Sequence, residues 1–346
     1  MTENPSVSII MPVRNEVAYI IRSLDSIIAQ DYPPERMEIL IANGKSTDKT
    51  GEIIADFCAA HPQVNIQIID NPDKFVSIGM NLALRQARGE IILRVDGHTM
   101  IAPDYVRQCV EAIKRTNADN AGGKMTTIGI TPFGKAVSLA ICIPFGIGGG
   151  RFHCSDKEEW VDTVYMGAWP RQVFEKIGVF DEELVRDQDD EFNYRLLQQG
   201  GRILLSPDIR SEYIVRSTPR TLWQQYFEYG FWKVRVAQKH PHQMRLRQFV
   251  PIAFVLALLG SIFLALFPIT RPLSLVIPVS YLLANLFVSF RTAAKQGWQF
   301  LTRLPLIFAI LHLSYGLGFL VGLIKFWNRW GDKIGKVPGW TSEAGE

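Results

Sequence analysis

Asp96 and His98 stand on either side of Gly97, directly after the strand-like run Glu90–Val95. Alternate residues at a strand end can face one ligand. A carboxylate and an imidazole can share Mg²⁺ or Mn²⁺, and the imidazole tilts the choice towards Mn²⁺. A metal held there would bridge a diphosphate and stabilise it as a leaving group. The plain structural alternative is a turn in which Asp96 caps a helix. A second acidic cluster, Asp187-Gln188-Asp189-Asp190-Glu191, precedes Phe192, Tyr194, Arg195, Leu196 and Leu197, which read as a helix with an apolar face. Acids at a helix start complement its dipole, which is reason enough for Asp190 and Glu191. A carboxylate there can instead take a proton from a hydroxyl nucleophile. A third segment, the apolar Ala136–Gly149, ends in Gly146, Gly148, Gly149 and Gly150 before Arg151 and His153. It reads as a buried helix and flexible loop. The sharper reading is a lid or membrane-facing loop that brings Arg151 to a diphosphate.

The elements that must position these groups alternate. Val7–Met11 reads as a strand ending at Pro12, and Ala18–Gln30 has helical spacing. Met37–Ala42 is a strand followed by the Asn43-Gly44 turn, and Ser46-Thr47-Asp48 can cap a helix Lys49–Ala60. Asn65–Ile69 is a third strand, Phe75–Ala87 a third helix with Gly89 as its stop, and Glu90–Val95 a fourth strand. This alternation predicts an α/β domain with a parallel sheet. Ligands of such sheets bind beyond the carboxyl ends of the strands. Pro12–Glu16, Asn43–Asp48, Asp70–Lys74 and Asp96–His98 therefore fall on one rim. No GxGxxG follows the first strand, which argues against a dinucleotide oxidoreductase.

The chain has 346 residues and a net charge of +3, but the charge is divided. Residues 1–228 carry net −7, residues 229–331 carry 11 basic residues and no acid, and residues 332–346 carry net −1. The acidic first part argues against a nucleic-acid partner. At 47% hydrophobic the chain is too apolar for disorder. Four separated cysteines with no CxxC pair argue against a disulfide framework or zinc site and fit a reducing cytosol. The N-terminus shows no signal-peptide pattern.

Phe249–Phe267, Leu273–Phe290 and Leu304–Ile324 are uncharged apolar runs, each near the ~20 residues that cross a bilayer as a helix. Basic flanks place residues 1–248 and the 291–303 loop in the cytoplasm by the positive-inside rule. The basic stretch Val234–Arg247 reads as a juxtamembrane segment on anionic headgroups. The tail creates a conflict. Its Lys325, Arg329, Lys333 and Lys336 belong inside, whereas three crossings put it outside. Gly316, Gly318 and Gly322 permit a re-entrant or close-packed third segment; the sequence leaves both open.

Taken in order, Ser8–Glu16 (SIIMPVRNE), Ala42–Asp48 (ANGKSTD), Gly79-Met-Asn81 with Gly89-Glu90, Asp96-Gly-His98 and Gln188–Arg195 (QDDEFNYR) resemble glycosyltransferase family 2 over roughly residues 6–235. Asp70–Ser77 (DNPDKFVS), Arg94–His98 (RVDGH) and Gln225–Lys233 (QYFEYGFWK), ahead of apolar spans, are most similar to its ExoA-like branch, bacterial enzymes that build polysaccharides on a lipid carrier. The resemblance implies an inverting GT-A fold, a Rossmann-like, mostly parallel sheet, followed by transmembrane helices. The expected division is a GT-A domain at 1–232, a basic juxtamembrane linker at 233–248, about three spans within 249–324, and a basic tail at 325–346. It implies that Pro12, Val13, Arg14, Glu16, Asn43, Lys74 and Asp96 bind the donor nucleotide, and that Asp96 and His98 hold Mn²⁺ or Mg²⁺. Asp189 would be the general base. Gly167, Ala168 and Trp169 would floor the acceptor pocket, with Gln225 and Arg151 nearby.

This sequence departs from the family pattern at Asn43, where Asp is usual, at His98, which replaces the last metal Asp, and at Gln188, which replaces Glu. Removing that like charge makes Asp189 easier to ionise. Glu228 and Tyr229 replace the Arg and Trp of a Gln-x-x-Arg-Trp motif. The expected activity is transfer of a sugar from a nucleotide diphosphate sugar, a UDP-hexose, to a hydroxyl of a lipid-linked saccharide. The expected partners are that donor, that acceptor and membrane lipid, with the catalytic part on the cytoplasmic side of the inner membrane. A polyprenyl-phosphate glycosyltransferase and a silent sugar-nucleotide-binding scaffold are the alternatives.

Overall fold

The structure is a computed structural model describing residues 4–149, 152, 155–332 and 337–340. Strand β1, Val7–Val13, is buried along its whole length. Ile9 and Met11 enter one apolar cluster and Ile10 another, because alternate residues face opposite sides of the sheet. That double burial explains why the strand is continuously apolar. It runs parallel to β2 (Met37–Asn43) and β4 (Ile91–Arg94), and β2 runs parallel to β3 (Ile66–Asp70). The register pairs Val13 with Asn43 and Asn43 with Asp70, so these strand ends are level.

The helices between them are α1 (Ile20–Ile28), α2 (Thr50–Ala60) and α3 (Val76–Gln86), each within a few residues of the expected span. Lys49 is the N-cap of α2 and makes no side-chain cap hydrogen bond, while Asp48 just before it accepts from the Thr50 amide through Oδ1 at 3.0 Å. Gly89 is not the stop of α3, which ends at Gln86. A Cβ at Gly89 would run into the backbone of Ser8, so close packing of the chain requires glycine there.

The sheet is less parallel than expected beyond these four strands. The remaining strands are β5 (Thr99–Ile101), β6 (Asn120–Ile128), β7 (Glu159–Val161), β8 (Tyr165–Pro170) and β9 (Ile203–Ile214). Among the described residues the order is β3-β2-β1-β4-β8-β6-β9-β5, with β7 on β9. β4–β8, β8–β6, β9–β5 and β9–β7 are antiparallel. Helix α4 (Tyr105–Thr116) packs on this half, and its Tyr105, Val106 and Cys109 join the β1 cluster.

The chain divides into two compact units. The first holds residues 1–127, 151–214 and 334–346, and the second holds 128–150 and 215–333. The second unit contains α5 (Pro132–Ile141), α6 (Pro144–Ile147), α9 (Pro219–Lys239), α10 (Leu246–Ala265), α11 (Val276–Gln296) and α12 (Leu304–Lys325), while α7 (Arg171–Ile177) and α8 (Gln188–Gln198) belong to the first. Three of these, Leu246–Ala265, Leu273–Gln296 and Leu304–Lys325, are long and apolar enough to cross a membrane.

The first part of the expected juxtamembrane linker is buried, whereas Arg245 and Arg247 are exposed. Lys233, Arg235 and Lys239 are buried in α9 rather than presented to headgroups. The Arg235 guanidinium donates to Gln238 and meets Asp332 at 3.3 Å, and the Gln238 amide donates to the Phe326 carbonyl at 2.8 Å. The acid that neutralises Arg235 lies 97 residues away, where no local pattern reveals it. The third apolar segment is one uninterrupted, close-packed helix. Gly318 and Gly322 lie against the Phe227 and Phe231 carbonyls of α9, and Gly230 of α9 lies against the Tyr315 carbonyl.

Candidate active site

The site assembles where β4 ends. Arg94 and Asp96 are two apart and fall on one side of the chain. The Arg94 Nε donates to Asp96 Oδ1 at 2.8 Å and its Nη2 to Oδ2 at 3.2 Å. Nη1 of the same guanidinium lies 3.8 Å from Asp189 Oδ2. One cation therefore ties the expected metal-site carboxylate to the expected base. The side chains of Arg94 and Asp96 are only 9% and 12% exposed, whereas Asp189 retains 39%. Asp189 sits in the first turn of α8, its Oδ1 accepting from the Asp190 amide at 3.0 Å.

The electrostatics separate the two carboxylates. Burial acts to raise Asp96, but the Arg94 guanidinium, His98 and the hydrogen bonds from Arg94 and Tyr165 together hold it below the usual carboxylate range. Asp189 goes the other way. Burial pushes it up, Arg94 opposes that push, and Asp190 and Asp96 add to it. Water reaches more than a third of the Asp189 side chain and softens the effect. A carboxylate raised towards neutrality is a better proton acceptor than an ordinary one.

His98 Nδ1 lies 3.0 Å from Glu16 Oε1. A proton on Nδ1 donated to Glu16 leaves Nε2 with its lone pair, the arrangement that orients a metal-ligating imidazole. The His98 ring also packs edge-on against Tyr213 at 5.2 Å. Gly97 separates the two, and a Cβ there would come within 3.0 Å of the Glu16 and Val13 side chains. Behind Asp96, the Tyr165 hydroxyl donates to Oδ2 at 3.3 Å, and the Asp96 amide points to the Met166 sulfur at 3.4 Å.

The donor-side loops knit together around Pro12–Glu16. The Glu16 amide donates to Thr50 Oγ1 at 2.8 Å, the Asn15 amide to Ser46 Oγ at 3.1 Å, and the Thr47 amide to Asn15 Oδ1 at 2.8 Å. Asn43 Oδ1 accepts from the Ser46 hydroxyl at 2.8 Å and its amide at 3.2 Å, so its carbonyl end builds the loop. Arg14 and Lys74 are exposed, with the Arg14 side chain and the Lys74 backbone beside Gly44. Asn15, Lys45, Lys74, Met166 and Asp187 have positive φ between 47° and 68°. All five lie in or beside the loops and strand that frame the site, where strained backbone concentrates when a ligand must be met in one geometry.

The residues expected to floor an acceptor pocket are largely buried. Ala168 and Trp169 are 0% and 2% exposed, and Trp169 is packed among Phe174, Phe180 and Phe192. Their side chains lie within the core. A Cβ at Gly167 would collide with Asn120 and the Trp169 ring, so that glycine serves packing. Gln225 belongs to the second unit, where its amide donates to the Tyr229 hydroxyl at 2.9 Å. Arg151 lies outside the described residues. Glu191 is structural, as the dipole argument expects. It pairs with Arg195 at 2.6 Å, and Arg195 donates to the Ile177 and Val179 carbonyls.

Sequence reasoning assigned no role to Arg94 or Tyr165. The signal for Arg94 was its i, i+2 spacing from Asp96 on an otherwise apolar strand. Nothing local marks Tyr165, which reaches Asp96 from 69 residues away.

Residues 8–178 match the family model described as Glycosyl transferase family 2. The chain is similar to the dolichyl N-acetyl-alpha-D-glucosaminyl phosphate 3-beta-D-2,3-diacetamido-2,3-dideoxy-beta-D-glucuronosyltransferase of Methanococcus voltae, 28% identical over 325 residues, 92% of this chain and 97% of that protein. It is similar to the succinoglycan biosynthesis protein ExoA of Rhizobium meliloti, 28% identical over 324 residues, 93% of this chain and 96% of that protein. In fold it is similar to the mannosyltransferase PcManGT from Pyrobaculum calidifontis, solved in complex with GDP-Man and Mn²⁺. The TM-score is 0.59 at 19% identity, covering 92% of this chain and 88% of that one.

Proposed function

Because this chain carries a glycosyl transferase family 2 domain on a GT-A fold, we propose that it is a membrane-bound, inverting hexosyltransferase. It takes its sugar from a nucleotide diphosphate sugar, a UDP-hexose, and gives it to a hydroxyl of a lipid-linked saccharide during polysaccharide or glycolipid synthesis. The observation that carries this reading is the pair of carboxylates on Arg94, one lowered and one raised, at the carboxyl end of β4. A base is needed when the acceptor is a neutral hydroxyl and not when it is a phosphate anion. The Methanococcus voltae relative is named for a dolichyl-borne sugar phosphate, which supports a saccharide acceptor on lipid.

Asp96 and His98 are the residues that would hold a divalent metal, the imidazole being oriented through Glu16, while both Asp96 oxygens accept from Arg94 in this structure. The described residues hold no group of three such side chains, so a diphosphate would complete the set. When bound there, the cation offsets charge on the departing nucleoside diphosphate.

In the chain's own share of the reaction, Asp189 takes the proton from the acceptor hydroxyl. That oxygen then attacks the anomeric carbon opposite the diphosphate, and one displacement inverts the configuration. Arg94 holds Asp96 ionised and in place. Pro12, Val13, Arg14, Glu16, Asn43 and Lys74 frame the nucleotide. The catalytic unit faces the cytoplasm at the inner membrane.

A screen of nucleotide sugars with the detergent-solubilised protein and Mn²⁺, read as released nucleoside diphosphate, tests the activity. Asp189→Asn should keep donor binding and lower transfer by roughly 10²–10⁴-fold. Near wild-type transfer in that variant would remove Asp189 from the role of base.

A further inference from the structure

We propose that Leu246–Ala265 and Val276–Gln296 are the two helices that cross the bilayer, as one hairpin, and that Leu304–Lys325 and the C-terminal tail stay on the side of the catalytic unit. The proposal rests on the reading that the apolar helices enter a membrane.

The tail provides the first argument. The Val179 amide donates to the Pro338 carbonyl at 3.3 Å. The Trp340 ring packs on Phe174 at 5.8 Å and receives the Arg171 guanidinium at 5.4 Å. Val337 lies beside Gly178, whose positive φ of 78° turns the chain to receive it. Residues 337–340 are therefore part of the folded unit that holds the active site. A folded unit lies on one side of a bilayer. The number of crossings between Ile214 and Val337 must then be even, and three is excluded.

Burial identifies the helix that does not cross. Half of α12 is covered by protein, against 17% for each of the other two apolar helices. Gly318 and Gly322 lie along α9, which carries Arg220, Glu228, Lys233, Arg235 and Lys239 and is too charged to enter hydrocarbon, while Gly316 lies against Pro251 and Val255 of α10. Its first half packs on Phe145 and Gly146. They belong to Ile128–Gly150, which begins and ends at the first unit. That stretch is too short to cross and return, since each passage needs ~20 residues. α9 and that stretch are fixed to one side, and α12 meets the hairpin as well, through Gly316 on α10 and through His312 and Pro305 on Tyr281 and Asn285 of α11.

The hairpin has the opposite character. Leu256, Ile262 and Phe263 of α10 and Leu282, Leu283 and Phe287 of α11 are 52–65% exposed. These helices have 20 and 21 residues, about 30 Å each, the thickness of the hydrocarbon core. Arg245 and Arg247 lie at the start of α10, Arg291 and Lys295 in the last turns of α11 and Arg303 just beyond it, while the connection has only Arg271. Two crossings place those five cations, and Lys325 and Arg329 with them, on one side. The charge conflict in the sequence disappears.

The test is sided labelling of the full-length protein in sealed vesicles of both orientations, with a membrane-impermeant maleimide. Single cysteines are introduced as Lys157→Cys in the catalytic unit, Ile269→Cys in the connection and Gly339→Cys in the tail, with Cys58, Cys142 and Cys154 replaced by serine. Positions 157 and 339 should label from one face and 269 only from the other. Labelling of 339 with 269, opposite 157, would restore three crossings and overturn the proposal. Labelling of all three from one face by a protein that resists alkaline carbonate would overturn the crossing hairpin but leave a membrane protein. The same pattern with release by carbonate would instead defeat the membrane reading itself. Tryptic cleavage at Arg271 from each face gives the same readout without a substitution.

Discussion

Arg94→Met separates a structural pair from two unrelated neighbours. The guanidinium makes both hydrogen bonds of a bidentate pair with Asp96, and the two side chains are 9% and 12% exposed. Methionine keeps most of the length and apolar stem and removes the charge. Asp96 is then left buried with the Tyr165 hydroxyl at 3.3 Å as its remaining side-chain donor. Removing one partner of a buried ion pair costs about 3–5 kcal/mol, whereas replacing both is often near neutral. The exposed, 3.8 Å contact with Asp189 adds little to stability. At about 2–4 °C per kcal/mol for a unit of this size, Arg94→Met should melt roughly 6–20 °C lower. Arg94→Met with Asp96→Asn should recover most of that loss. Tryptophan fluorescence on heating at a fixed rate, in one detergent, measures both.

The pH dependence carries a definite sign. Asp96 is held below its usual range, so the pair stabilises the native protein above the ordinary carboxylate value of about 3.9. That stability is lost only as pH falls through the depressed value. In Arg94→Met, burial without the guanidinium lets Asp96 take up a proton more readily. The deficit should therefore be full at neutral pH and shrink on acidification. A single variant that melts within about 2 °C of wild type at neutral pH, where at least 6 °C is expected, would refute the pairing energetics. So would a double variant as damaged as the single one.

Asp189 is raised by burial, so transfer should fall with acid through a value above the ordinary Asp value of about 3.9; a rate flat from about pH 4 to 8 would contradict this. His98→Ala should abolish the Mn²⁺-dependent part of UDP binding by calorimetry and leave the melting temperature nearly unchanged. Equal UDP affinity with and without Mn²⁺ in the wild type would remove the metal from this site. Gly318→Val drives a side chain into the Phe227 carbonyl and should destabilise the α9–α12 pair by about 1–3 kcal/mol or more. Retention of wild-type thermal stability would show that α9 and α12 are not packed this closely.

The sequence alone determined whatever repeats over two to four residues. Strand alternation, helical spacing and turn residues located β1 to β4 and α1 to α3 and put their loops on one rim. Asp96, His98 and Asp189 were singled out because local motifs contain them, and their roles remain proposals. The apolar helices were legible from length and absence of charge. Tertiary structure decided the pairings between distant segments. It put Arg94 between Asp96 and Asp189, Arg235 against Asp332, Trp169 in an aromatic cluster and the tail against Val179. Each joins groups whose separation along the chain leaves no periodic trace. A buried charge also reads like a solvated one until its partner is in place. The sidedness of the tail is of the same kind. Local charge pointed one way and the count of apolar helices another. A short contact between residues 337–340 and the catalytic unit decides between them, because a packed core cannot be divided by a bilayer.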